Sequence, residues 1–349
     1  MSLLRLLGFL IAVTLLMLAV SRFRRRALRL SDALIMGGLA GALGFVAIAP
    51  SSVDPLLSEL GFPPGDARRV IGVLVVTTLV VLVLLMRAFA RADSLEKSLG
   101  DYADRVAARW FVKENEPLLS SIRDKVTLVI PALDEEESLP KVLGEVPRVI
   151  GDLDVEVIVV SDGSTDDTER VAEEHGALIA GRDLRRGQGA TVTLGYRLAL
   201  LRNPRVIATC DADGQYDPAE LPRLVQPIID GDADVVHGSR ALGEYEAPLL
   251  GRSQGIKVFA WVTSRLARTT ITDPASGFRA FTPEALSRLR FREDQFHASE
   301  VTLAAAKLGL RVKEVPINFR ERAAGTSKKP PLFRYGYGYT RTLFRTWLG

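Results

Sequence analysis

The chain has 349 residues, enough for two domains, and sets 45 lysines and arginines against 42 aspartates and glutamates. A formal net charge of +3 gives no basic excess of the kind that nucleic-acid binding exploits, so no nucleic-acid partner is expected. The single cysteine, Cys210, excludes an internal disulfide and fits a reducing compartment.

Three uncharged stretches open the chain: Leu6 to Val20, Ala33 to Ala49 and Val70 to Met86. Their lengths approach that of a membrane span, and they predict three transmembrane helices within residues 1–91. A cleaved leader is disfavoured, because Ser21-Arg22-Phe23-Arg24-Arg25-Arg26 stands where a small-residue cleavage site belongs. That arginine cluster reads as a cytoplasmic loop, and Arg87 with Arg91 returns the chain to the same side after the third stretch. The expected topology is a multi-pass protein of the plasma membrane, N-terminus outside and everything after about residue 90 on the cytoplasmic side. Gly37 and Gly41 have the small-xxx-small spacing of packed membrane helices, a face that would also serve a homo-oligomer. Residues 92–124 place Leu95, Leu99, Tyr102, Val106, Trp110 and Phe111 at helical spacing and read as an amphipathic juxtamembrane connector.

From Lys125 onward short β-branched runs alternate with helical stretches. Strands are expected at 126–130, 155–160, 177–180, 206–209 and 233–236, with helices at 136–149, 165–174, 188–201 and 218–229 between them. This rhythm means a mostly parallel sheet covered by helices on both faces, whose ligands bind beyond the carboxyl ends of the strands. Those ends carry polar residues: Pro131-Ala-Leu-Asp-Glu135, Ser161-Asp-Gly-Ser164, Asp211-Ala-Asp213 and Gly238-Ser-Arg240. No G-x-G-x-x-G follows the first strand and no P-loop lysine motif occurs, which disfavours a dinucleotide-binding domain.

Cys210-Asp211-Ala212-Asp213-Gly214-Gln215 is the most pointed of these ends. Alternation along an extended chain turns Asp211 and Asp213 the same way, and like charges so close call for a cation or positive donors. The oxygens of Asp211, Asp213 and Gln215 suit a hard ion, Mg²⁺ or Mn²⁺, that would hold a diphosphate. Taken alone the stretch fits a solvated turn; three further polar ends on one rim favour the metal corner.

Ile130-Pro-Ala-Leu-Asp-Glu-Glu-Glu137, Val159-Val-Ser-Asp-Gly-Ser-Thr-Asp166, Asp211-Ala-Asp-Gly-Gln-Tyr-Asp217 and Gly238-Ser-Arg240, in this order, resemble a family 2 glycosyltransferase of GT-A fold. Asp273-Pro-Ala-Ser-Gly-Phe-Arg279, Glu314 to Arg322 and Gly325-Thr-Ser-Lys328 narrow the resemblance to the polyprenyl-phosphate (dolichol-phosphate) mannosyl and glucosyl transferases. It covers residues 125–330. It implies an α/β, Rossmann-like GT-A domain, here preceded by an α-helical transmembrane region. It also implies a UDP- or GDP-sugar donor, a polyprenyl phosphate acceptor at the lipid bilayer, and transfer of a hexose with inversion.

The resemblance assigns roles residue by residue. Pro131, Leu133 and Glu135 would border the nucleoside, Val160 and Asp162 would receive the base, Asp211 would meet the ribose or the metal, and Ala212 belongs to the nucleotide-sugar-binding set. Asp162 also fits a plain helix N-terminal turn, since Ser164 and Thr165 are good caps. Asp213 and Gln215 would hold the metal, with Asp211 beside them. Arg240, Arg322 and Lys328 match positions that hold phosphates, and with Asp213 they form the expected catalytic set. A lipid monophosphate is already largely dianionic near neutral pH, so it needs placing rather than deprotonating; no histidine stands as an evident base. The chain departs from the family pattern at Asp134, Ser161 and Gln188, so no donor identity is carried over. Residues 331–349 interleave Phe333, Tyr335, Tyr337, Tyr339, Phe344 and Trp347 with arginines, the composition of a membrane-interface segment. Two alternatives remain: a family 2 transferase acting on another lipid-linked or cell-envelope acceptor, and a catalytically silent scaffold that binds nucleotide sugar.

Overall fold

The computed structural model describes residues 3–24, 37–41, 44–45, 48–49, 54–59, 68–119, 125–243, 252–267, 269–291, 297–322 and 346. The chain divides into two compact units, Met1–Leu95 and Glu96–Gly349.

In the first unit α1 spans Leu3–Arg24, α2 spans Asp54–Glu59, and α3 begins at Arg68 and continues to Leu119. Ala12 and Ala40 are buried, whereas Leu6, Leu10, Ile11, Met17 and Val20 of α1 are exposed. Among the described residues no helix is long and apolar enough to cross a membrane, which departs from the expectation of three spans. Arg5 and Arg22 bound an α1 run whose uncharged core is Leu6 to Val20, and the stretch from Val70 stops at Arg87. Leu6 to Val20 is shorter than the roughly 20 residues of a typical span, and Val70 to Met86 stands at the lower end of the range. The second stretch lies partly outside the described residues.

The second unit is built on an eight-stranded sheet. Its elements are β1 (Lys125–Ala132), α4 (Leu139–Glu145), β2 (Val149–Ile150), β3 (Leu153–Asp162), α5 (Thr168–Glu174), β4 (Leu178–Arg182), α6 (Gln188–Leu201), β5 (Val206–Thr209), a 3₁₀ turn (Pro218–Glu220), α7 (Leu221–Ile229), β6 (Val235–Ser239), α8 (Arg252–Ala267), β7 (Arg279–Phe281), α9 (Pro283–Arg288), α10 (His297–Lys307) and β8 (Val312–Pro316). The strand order is β2-β3-β1-β5-β7-β6-β8, with β4 paired to the far half of β3. Contacts β1–β3, β1–β5, β3–β4 and β6–β8 are parallel, while β7 runs antiparallel between β5 and β6.

The mostly parallel, doubly covered sheet agrees with the alternating sequence pattern. Its central strands are buried on both faces, so they read as continuous apolar runs rather than as alternation. Leu128, Ile130, Val159 and Ala208 face one core with α4, α5 and α7; Val129, Ile158, Val160 and Ile207 face the other with α6, α9 and α10. The sequence pattern closed the strand series at residue 236, and the sheet goes further. β7 is three residues long and β8 sets the adjacent pair Lys313-Glu314 between Val312 and Val315, so neither carries the continuous apolar run of a buried parallel strand.

The part of α3 within this unit belongs to its core. Ala107 and Phe111 are buried with Val160, Leu194 and Leu198, whereas Trp110, one residue before Phe111, is exposed with Lys113 Nζ 4.9 Å above its ring. Phe111→Ala is expected to destabilise the second unit by about 3–5 kcal/mol in urea titration, the cost of deleting a buried aromatic. Trp110→Ala should change stability by under about 1 kcal/mol.

Candidate active site

Because β1, β3, β5 and β6 run parallel, their carboxyl ends lie at one edge of the sheet, and register sets what meets there. Pro131 pairs with Val160 and Ala132 with Ser161, while Val129 opposite Thr209 puts Asp211 just beyond the end of β5. Asp213 is buried: one carboxylate oxygen accepts the Gln215 N–H at 3.1 Å, and the other lies 2.7 Å from Arg322 Nη2. Arg322 Nη1 is 4.0 Å from Glu135 Oε1. Two expected site carboxylates, from the first strand's loop and the fifth strand's loop, therefore converge on one cation, Arg322 of the segment after β8.

Asp211 Oδ1 accepts a hydrogen bond from Gln188 Nε2 at 2.9 Å. The loop 273–278 also borders it: a Cβ on Gly277 would stand 2.9 to 3.2 Å from the Asp211 carboxyl group, so glycine lets that loop close on the corner without displacing Asp211. Gly277 N–H donates to Tyr216 Oη at 2.8 Å, and the Tyr216 ring rests between Phe278 and Phe319. Burial pushes the Tyr216 hydroxyl well up, so it stays neutral. Burial, followed by the charges of Asp211, Asp213 and Asp217, does the same to the Cys210 thiol, which removes it as a nucleophile.

Arg240 is fixed from beneath. Its Nε and Nη2 reach Asp273 Oδ2 and Oδ1 at 2.6 and 2.8 Å, and its guanidinium lies 5.0 Å over the Phe319 ring. Glu314 on β8 accepts the backbone N–H groups of Thr272 and Asp273 and the Thr272 hydroxyl, so it holds the loop that presents Asp273. Burial raises the Asp273 carboxyl, but the hydrogen bonds and charge of Arg240 outweigh it and hold the group below the ordinary carboxylate range. Lys328 and the segment 331–349, apart from Thr346, lie outside the described residues.

On the nucleoside side the expected residues divide. Leu133 and Glu135 are partly exposed at the end of β1, with Glu135 anchored by the Ser138 hydroxyl at 2.7 Å. Pro131 and Ala212 are buried, and the Val160 side chain is packed in the core beneath α6. Asp162 is buried too, its oxygens taken by Arg182 Nη2 at 2.5 Å and by the backbone N–H groups of Arg186 and Gly187 at 2.9 and 2.7 Å. Asp134, at φ +48°, ties the first loop to the others: it accepts the Thr165 N–H at 2.7 Å and pairs with Arg185 at 2.7 Å.

Sequence reading missed Arg182, Asp104, Asp273 and Glu314 as positioning groups. Arg182, Arg185 and Arg186 form a visible cationic triplet beside a rim of carboxylates, and that charge pairing was the available signal. Asp104 gave none, because its partner Arg182 lies 78 residues away in sequence.

The acidic corner fits a divalent ion shared with a ligand. The described residues contain no cluster of three or more acidic, histidine or cysteine side chains that would hold an ion by themselves. An octahedral hard ion takes one or two carboxylates and completes its shell with phosphate oxygens and water, which is what Asp211 and Asp213 offer.

An α/β sheet whose acidic and cationic groups meet beyond its strand ends agrees with a GT-A type glycosyltransferase fold. The family model described as "Glycosyl transferase family 2" matches residues 127–290. The undecaprenyl-phosphate mannosyltransferase of Micrococcus luteus is 33% identical over 217 residues, covering 58% of this chain and 87% of that protein. The dolichyl-phosphate hexose transferase of Haloferax volcanii is 34% identical over 209 residues, 59% of this chain and 88% of that one. Among solved structures, glucosyl-3-phosphoglycerate synthase from Mycobacterium tuberculosis, in complex with Mn²⁺, UDP and glucosyl-3-phosphoglycerate, shares the fold at a TM-score of 0.50 and 24% identity, covering 67% of this chain and 83% of that one. The chain belongs to glycosyl transferase family 2 and is a glycosyltransferase.

Asp273→Asn leaves the Arg240 guanidinium facing a neutral group and is expected to cost about 3–5 kcal/mol at pH 7. Because the folded-state pKa of Asp273 is lowered, its contribution is complete above the unfolded carboxylate value of about 4 and is lost as pH falls through the folded value. Urea titrations at stepped pH should therefore show the gap between wild type and variant narrowing below about pH 4.

Proposed function

We propose that this glycosyltransferase moves a hexose from a nucleoside-diphosphate sugar to a polyprenyl phosphate at the cytoplasmic face of a membrane. The observation that carries the reading is the meeting of Asp213, Glu135 and Arg322 at one point of the rim, with Asp211 and the anchored Arg240 on the same edge. Relatives named for undecaprenyl-phosphate and dolichyl-phosphate transfer support the choice of acceptor.

Leu133 and Glu135 border the nucleoside, and Asp162 stands behind the pocket as the group that holds its loop. Asp211, Asp213 and Gln215 would hold a Mg²⁺ or Mn²⁺ ion, which supplies charge neutralisation for the departing diphosphate when bound. Arg322 and Arg240 offer planar guanidinium forks to the phosphate oxygens of donor and acceptor, and Lys328 is assigned to the same task. The acceptor phosphate oxygen attacks the anomeric carbon from the side opposite the diphosphate, so configuration inverts through an oxocarbenium-like state. No general base is required, because the attacking phosphate is already ionised. Orientation and fixed charge carry the rate.

Attachment to the bilayer is assigned to the first unit. Exposed Leu6, Leu10, Ile11, Met17 and Val20 on α1 are costly in water and favourable in lipid.

Membranes containing the protein, supplied with labelled UDP- and GDP-sugars, a divalent ion and polyprenyl phosphate, are expected to yield labelled glycolipid. Asp213→Ala should lower that yield by about 10²–10³-fold, as should chelation of the ion. Absence of labelled lipid from the wild type with every common donor overturns the reading.

A further inference from the structure

Arg182 is fully buried and joins two carboxylates that lie far apart in the chain. Its Nη1 is 2.6 Å from Asp104 Oδ1 on α3, and its Nη2 is 2.5 Å from both Asp162 Oδ1 and Thr191 Oγ1. Arg186 repeats the arrangement one turn of loop later: its Nη1 is 2.9 Å from Asp104 Oδ2, while its backbone N–H donates to Asp162. Asp104 and Asp162 thus grip residues 182–187 together, Asp104 by side chains and Asp162 largely by backbone.

Gly100, on the same face of α3 one turn earlier, completes the seat. A Cβ there would stand 2.3 Å from Arg186 Nε and 2.4 Å from its Cζ, so the guanidinium lies directly on the helix backbone. A glycine inside a long helix lowers helix stability relative to alanine, and here it makes room for one arginine. A buried ion cluster is rarely the most stabilising way to fill space, which points to its value in fixing position. What it fixes is the run into α6. Gly187 donates to Asp162, and Gln188, the next residue, donates to Asp211 at the acidic corner.

We propose that Asp104, seated beside Gly100, is a positioning residue for the nucleotide-sugar donor. Asp104 lies outside the segment matched by the family model. It acts through Arg182 and Arg186, which set the loop that walls the nucleoside pocket and delivers Gln188 to Asp211. The inference rests on the nucleotide-sugar reading above and adds α3 to the donor site.

The test uses the full chain in membranes, with whichever of UDP-glucose, UDP-galactose or GDP-mannose the wild type transfers to undecaprenyl phosphate. Asp104→Asn and Gly100→Ala are each expected to raise donor KM by about tenfold while kcat and acceptor KM stay within about twofold. Asp104→Glu should recover part of the donor affinity. Gly100→Ala gains helix propensity but must push the Arg186 guanidinium aside, so thermal midpoints are read beside the kinetics, and a rise confined to donor KM marks lost positioning rather than lost stability. Wild-type donor KM in both variants overturns the inference and leaves the transferase reading standing; so does a loss spread equally over donor KM, acceptor KM and kcat in step with a lowered midpoint. A wild type that transfers none of the three sugars overturns the reading and the inference with it.

Discussion

Carboxylates crowd the edge of the sheet where the parallel strands end, and the arrangement of the second unit follows from how their mutual repulsion is offset. Asp134, Asp162, Asp211 and Asp213 come to this edge because β1, β3 and β5 point the same way. Like charges this near one another need cations at short range. Arg182, Arg185 and Arg322 supply them, each reaching across from a different stretch of chain than its partner. Removing any of these arginines would leave a buried or half-buried acid without its counter-charge, a larger penalty than loss of a surface pair.

That constraint explains why the loops at the edge are so heavily cross-tied. Glu135 and Glu136 donate their backbone N–H groups to Thr168 and Asp166, and Asp167 donates back to Glu136. Arg320 pairs with both Glu145 and Asp217, and Asn318 N–H reaches Glu220. Strand ends that open onto a ligand cleft have no further ladder to satisfy their polar groups, so neighbouring loops take them up.

The antiparallel β7 shapes the other half of the site. By inserting between β5 and β6 it draws the preceding loop over the Asp211 corner and places Gly277 against Asp211 and Asp273 under Arg240. β8 then anchors that loop through Glu314. β7 also serves the core, with Ala280 and Phe281 fully buried, so the same strand ties the packing of the sheet to the geometry of the cationic side of the site.

The parallel sheet, the helix α6 at 188–201, the strand β5 at 206–209 and the acidic corner were legible in the sequence because each rests on short-range pattern: apolar runs, turn residues, and two carboxylates separated by one position. The convergence of Asp213 with Glu135 and Arg322 was legible only through the order of several motifs. The place of α3 was not. Its apolar positions describe a helix with two faces, and nothing local distinguishes Phe111, which is buried, from Trp110, which is exposed. Nor does local pattern mark Asp162 as a group that holds a loop, or Arg182 as one that is wholly desolvated. Local periodicity and charge spacing determined which elements form and what chemistry the strand ends carry. The pairing of charges 20 to 82 residues apart was decided by tertiary structure, because a buried ion finds its partner through the path of the fold and not through its neighbours in the chain.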